Sequence, residues 1–178
     1  VSISGAPYDG YPAPHMLESL ASIGATYVEP AYIVGYTEPF DESAFTEARA
    51  VEYARWLAAA GIGCHAMSSH IDLGRADALE VFQGRMRFAA RIGAKVINTN
   101  AAARANEARF FQHIGPLAKL AEELDLVIGL ENPGDGSDNL LNVAADGPGL
   151  LARIGHARVG LNYDAGNIGN HEFNFGLP

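Results

Sequence analysis

Two acidic residues, Glu131 and Asp164, each close a short apolar run. The first run reads Leu126-Val127-Ile128-Gly129-Leu130-Glu131-Asn132-Pro133, and the second Arg158-Val159-Gly160-Leu161-Asn162-Tyr163-Asp164-Ala165-Gly166-Asn167. Both are too short for a confident helix and are stopped by Pro or Gly, so they read as buried strands. A carboxylate at the last turn of a buried strand is misplaced if the strand only fills a core. It makes sense if both strands aim their C-terminal ends at one site. Adjacent parallel strands lie about 4.8 Å apart, so two such acids can share a cation. Oxygen ligands of this kind suit Mg2+, Mn2+ or a similar divalent ion. The chemistry implied is polarisation of substrate oxygens by a metal, with a carboxylate to move a proton.

The elements that must position these acids recur along the chain. Val1 to Gly5 reads as a strand, and a helix runs through Met16, Leu17, Leu20 and Ile23 to Gly24. Thr26 to Glu29 is a second strand, stopped by Pro30. Helices are expected from about Asp41 to Ala60, Asp77 to Ile92, Asn106 to Leu124 and Pro148 to Ile154. Strands from Ile62 to Met67 and Lys95 to Asn100 alternate with them, before the two acid-bearing strands. Gly115-Pro116 is expected to kink or break its helix. Four joins share one form, with Gly24, Gly61, Gly93 and Gly155 each ending a helix before a strand. The repeat is roughly 30 to 37 residues, the length of a β-α unit.

Alternating β-α units imply a parallel sheet covered by helices. A doubly wound sheet would carry a Gly-rich phosphate loop after its first strand, and Gly5-Ala6-Pro7-Tyr8-Asp9-Gly10 has no such pattern. A (β/α)8 barrel collects polar residues at the C-terminal ends of its strands. Here those ends carry Glu29, Ser68-Ser69-His70, Asn98 and Asn100, Glu131-Asn132, and Asp164 with Asn167. That pattern selects an α/β fold of the (β/α)8 TIM-barrel type. Six units account for residues 1–178 as a single domain, whereas a whole barrel takes about 250 residues. The chain is therefore expected to be the first three quarters of a barrel, its last units missing. Such a piece should be inert by itself and prone to associate through its open first and sixth strands.

The Leu-Glu-Asn and Asp-Ala-Gly-Asn strand ends, Val28-Glu29-Pro30 and the unit spacing resemble the xylose isomerase-like TIM-barrel superfamily of sugar isomerases and epimerases. The resemblance implies that Glu131 and Asp164 bind a divalent metal (Mn2+, Mg2+ or Co2+) and that Glu131 is also catalytic. Relatives add a His from strand seven and a Glu from strand eight, which have no counterpart in this sequence. Glu29 corresponds to a strand-two Glu that often binds substrate, although a structural ion pair suits it as well. His70 can face the site from strand three. Of Asn98 and Asn100, one is expected to point inward, and Asn100 is taken as the substrate contact. Asn167 stands where several relatives carry a His, and as an amide it is carried over only as a substrate contact. The implied activity is a metal-dependent isomerase or epimerase of a sugar or sugar acid. The alternatives are a dehydratase or lyase on a polyhydroxylated acid, or a polyol-binding remnant without turnover. An apurinic-site nuclease would need a His-rich three-metal cluster, and Asn167 counts against it.

Bulk properties narrow the partners. A net charge of −9 argues against binding a phosphate backbone. No apolar run reaches membrane-spanning length, so no membrane partner is expected. A lone Cys64 in an apolar run reads as a buried thiol and suits a reducing, cytoplasmic setting. The expected partner is a small sugar or sugar acid, with a homo-oligomer left open. Trp56 is expected to pack in the core, the Gly134 to Asn139 stretch to be a plain loop, and His171 to be incidental.

Overall fold

The structure is a computed structural model that describes residues 1–32 and 42–164. Its strands are β1 (Ser2–Ser4), β2 (Tyr27–Glu29), β3 (Gly63–Cys64), β4 (Ala66–Ser68), β5 (Val96–Asn100), β6 (Val127–Glu131) and β7 (Val159–Asn162). The helices between them are α1 (Ala13–Ser22), α2 (Glu47–Ala60), α3 (Ala78–Arg91), α4 (Glu107–Glu123) and α5 (Asp146–Ile154). Every strand pairing is parallel, and β1, β2 and β3 form one ladder while β4 to β7 form another. The two ladders are halves of one surface. β3 and β4 are a single strand interrupted at His65, whose carbonyl accepts from both Lys95 N (2.7 Å) and Val96 N (3.1 Å). Beyond the break, Ser68 N donates to Pro30 O (2.9 Å) and Tyr32 N to Ser68 O (2.8 Å), which joins β4 to the end of β2. The expected unbroken strand from Ile62 to Met67 is thus divided in two.

Side chains alternate across this sheet with period two. Val28, Met67, Ile97, Ile128 and Leu130 point to the helix layer and are wholly buried. Against them pack Leu17 and Leu20 of α1, Leu57 of α2, Phe82 and Met86 of α3, and Phe110 and Leu117 of α4. Burying each such side chain is worth about 1.5–3 kcal/mol. The opposite face, which lines the barrel interior, is small and polar. Ser68, Asn98 and Gly129 lie in register on adjacent strands, with Gly160 opposite Gly129.

Helix ends explain the unit joins. Thr46 caps α2, its Oγ1 accepting from Arg49 N at 3.2 Å. This helix begins at Glu47, after a 3-10 turn over Glu42–Phe45, later than expected; Asp41 lies outside the described residues. Gly24, Gly61, Gly93 and Gly155 adopt φ of 79°, 67°, 99° and 63°, the left-handed region that suits glycine. The fifth join, between α4 and β6, uses the same conformation with Asp125 at φ 53°. Pro116 does not break α4, which runs continuously through it. A proline inside a helix costs about 3 kcal/mol; the buried Phe110, Ile114, Leu117 and Leu120 on that helix outweigh it.

Candidate active site at the strand ends

Glu131 ends β6 and stands opposite Asn162 of β7 in the ladder. Its side chain is 13% exposed. Asn162 Nδ2 donates a short hydrogen bond to Glu131 Oε2. On the same oxygen, His70 Nε2 lies 3.3 Å away, within ion-pair distance but outside hydrogen-bond alignment. His70 is only 10% exposed, and among the described residues neither ring nitrogen has a hydrogen-bond partner. Among the described residues, Glu131 has no Lys or Arg within ion-pair reach, and its Oε1 accepts from no side chain or backbone group.

Asp164 lies two residues past Asn162, at the end of β7. Its backbone is gripped by Asn132: Asp164 N donates to Asn132 Oδ1 (3.0 Å), and Asn132 Nδ2 donates to Asp164 O (3.1 Å). Asn132 itself is 3% exposed. Glu131, Asp164 and His70 therefore share the C-terminal end of the sheet.

One layer below, Glu29 Oε1 accepts from Ser68 Oγ (2.5 Å) and Asn98 Nδ2 (3.1 Å). Asn98 lies two residue steps before Asn100, and Gly129 two before Glu131, so this layer sits roughly 6–7 Å beneath the Glu131 layer. Asn98 and Asn100 are two apart, so both face the barrel interior, and the expectation that only one would do so is corrected. The amide of Asn98 lies where a Cβ on Gly129 would be, and its Oδ1 is buried without a conventional donor. Glycine at 129 is what lets this amide fit and reach Glu29.

Glu131 and His70 are thus brought together, and Asp164 lies at the same end of the sheet. Glu29 points into the layer beneath them, Asn100 faces the same interior, and Asn167 and His171 lie outside the described residues. Asn162 enters the arrangement without having been singled out, while the sequence marks Asn132, Asn98 and Ser68 as polar strand ends without a role of their own. The signal for Asn162 was available, since it precedes Asp164 by one strand period and so shares its face.

Carboxylate oxygens such as those of Glu131 and Asp164 are of the type that suits a divalent cation. Among the described residues no cluster of three or more His, Cys, Asp or Glu side chains is close enough to hold a metal. Glu131 and Asp164 accordingly fit as part of a ligand set. Cys64 is buried, and burial, followed by the Glu29 charge, pushes its thiol up to about 12, so it is no nucleophile. A separate cavity of about 410 Å3 lies between the β1–α1 connection and α2, lined by Tyr8, Tyr11, Tyr32, Tyr53, Trp56 and Arg49. None of the candidate carboxylates lines it. Trp56 is partly buried against the core and also faces this cavity, with Arg49 5.4 Å above its ring.

The sequence profile of the xylose isomerase-like TIM-barrel family matches residues 17–174. The chain belongs to this family. No curated protein sequence matches it. Solved structures share its fold at low identity. A D-psicose 3-epimerase determined in the presence of D-fructose superposes with a TM-score of 0.75 at 16% identity, covering 96% of this chain and 65% of that one. A 3-keto-D-glucoside 4-epimerase from E. coli gives 0.76 at 14% identity, covering 98% and 71%. A probable 3-DHS dehydratase from Bacillus anthracis, involved in petrobactin synthesis, gives 0.68 at 13%, covering 97% and 68%. The chain spans 62–65% of the length of the first three epimerases it matches. Among the described residues, no helix is long and apolar enough to cross a membrane.

Proposed function

We propose that this family member is a divalent-metal-dependent epimerase or isomerase acting on a sugar or sugar acid, with Glu131 and Asp164 at its reacting centre. The observation that carries the reading is the state of Glu131. Its Oε2 is held by Asn162 and approached by His70, while among the described residues Oε1 has no partner and no Lys or Arg lies within ion-pair reach. A buried carboxylate kept in that condition is suited to an incoming positive charge or proton.

Glu131 and Asp164 would hold Mn2+, Mg2+ or Co2+, which when bound polarises the carbonyl and hydroxyl oxygens of the substrate. Glu131 removes a proton from the carbon beside the carbonyl; its return by Glu131 to the former carbonyl carbon gives the isomer, and an epimer requires a second acid that delivers a proton to the opposite face. His70, already at Glu131, contacts a substrate hydroxyl, as do Asn100 and Asn167. Glu29 offers Oε2 to substrate from below, its Oε1 being used by Ser68 and Asn98.

The test is solvent exchange. A panel of ketoses and polyhydroxy acids is incubated in D2O with Mn2+ and the protein from its complete gene, and products are followed by NMR. The expected result is deuterium at a carbon beside the carbonyl and a product of unchanged composition. No exchange with any polyol would overturn the reading. A second reading, a dehydratase on a polyhydroxylated acid, is favoured by the likeness to the Bacillus anthracis dehydratase. It uses the same proton removal, and an unsaturated product lacking one water would select it.

A further inference from the structure

Beyond β6 and β7 the strand ladder stops, its last paired residues being Glu131 and Asn162. Parallel strands that lose their ladder splay apart, yet here the chain stays joined for one more step. The Asn132 carboxamide both donates to and accepts from the backbone of Asp164, at 3.1 and 3.0 Å. A carboxamide has the donor and acceptor of a peptide group, so Asn132 continues the ladder with its side chain. Asn162 completes the exchange in the opposite direction, reaching from β7 to the Glu131 carboxylate. Each strand end thus holds the acid-bearing segment of the other.

We propose that Asn132 and Asn162 are positioning residues, a reciprocal brace that sets the separation of the Glu131 and Asp164 carboxylates. The inference rests on reading those two acids as ligands of one cation. Residue type supports the role. A neutral amide fixes Glu131 Oε2 without cancelling its charge, which an Arg or Lys at position 162 would do. At position 132 a carboxylate would lose the donor to Asp164 O, and a serine would be too short to bond both backbone groups. Partners that orient metal ligands typically change metal affinity by about 10- to 100-fold when removed.

The experiment uses the protein from its complete gene. Mn2+ is titrated calorimetrically into the wild type, Asn162→Leu, Asn132→Ala and Asn162→Gln, and thermal unfolding is recorded for each. The expected result is affinity weaker by at least about tenfold for the Leu and Ala variants, near-native unfolding of Asn162→Leu, and partial recovery in Asn162→Gln. Affinities within twofold of wild type in both deletion variants would overturn the brace. A wild type that binds no Mn2+ defeats the metal reading instead. The brace is then judged by NMR, from the Asn162 side-chain amide signal in Glu131→Ala. That signal should move, and an unmoved one overturns the inference.

Discussion

The strand β6 has an acid at each end, and the two are treated in opposite ways. At its N-terminal end, Asp125 accepts from Lys95 Nζ (2.9 Å) and Arg158 Nη1 (3.1 Å), in full contact with water. The Lys95 hydrogen bond, followed by that from Arg158, holds its carboxyl below the ordinary 3.8. At its C-terminal end, Glu131 is mostly buried and, among the described residues, is met by a neutral amide and an imidazole. Two cations finish the electrostatics of the lower acid, and among the described residues no Lys or Arg does so for the upper. An acid that only stabilises a fold can be neutralised on the spot. An acid reserved for a ligand has to be oriented without being neutralised, and the difference separates the bottom of the sheet from its working end.

That contrast can be broken most severely at Glu131. Glu131→Gln keeps the shape and the Asn162 contact but removes the charge, so turnover by the complete protein should fall by about 10^3-fold or more. Circular dichroism should remain that of the wild type. Retained turnover with retained fold would place the reacting acid elsewhere. Next comes Asp164→Asn, for which calorimetry should find Mn2+ affinity lower by about a hundredfold, because a neutral amide oxygen replaces a charged ligand.

The floor of the site gives a smaller, purely structural effect. A Cβ in Gly129→Ala would overlap Asn98 Oδ1 and approach Asn162 Cβ to 3.3 Å. Overpacking of this kind costs about 1–3 kcal/mol, to be read as a lowered denaturant midpoint. Because Asn98 holds Glu29 and Asn162 holds Glu131, the same change should also disturb both acids. An alanine variant as stable as wild type would mean that the Asn98 amide has another place to go.

The slightest effect is expected at the lower acid. Asn tolerates positive φ nearly as well as Asp, so Asp125→Asn isolates the charge from the backbone conformation. The depressed carboxyl contributes stability above 3.8, and this is lost as pH falls through its folded-state value. Denaturation midpoints of wild type and variant should therefore differ modestly at neutral pH and converge below 3.8. High salt should shrink the gap, as for other exposed pairs.

Much of the architecture could be read from residue order. Helix ends written Ile-Gly or Ala-Gly mark a backbone state that few other residues enter, and polar strand ends after apolar runs mark the working end of a parallel sheet. The join at Asp125 escaped because an aspartate in that conformation looks like any surface acid. The break at His65 escaped because an interrupted ladder depends on where a neighbouring strand places its donors. That Glu131 and Asp164 come to the same end of the sheet was legible because charge at the end of a buried strand needs a reason. The bonds of Asn132 and Asn162 were not: strand period puts Asn162 on the face of Asp164, but only distances to a partner strand show what each amide holds.

The order of the strands has a consequence for how the chain assembles. Among the described residues every ladder joins strands that are neighbours in sequence, β1 with β2 and onward to β7, with the β3–β4 break bridged from the end of β2. Among these residues no pairing waits for a distant segment, so loop-closure entropy stays small at each of these additions. Each strand can dock on the one made before it as synthesis proceeds, at about 5–20 residues per second. The acid pair is then completed late, when Asn162 reaches Glu131 and Asp164 reaches Asn132, so a nascent chain carries a built sheet before it carries a site.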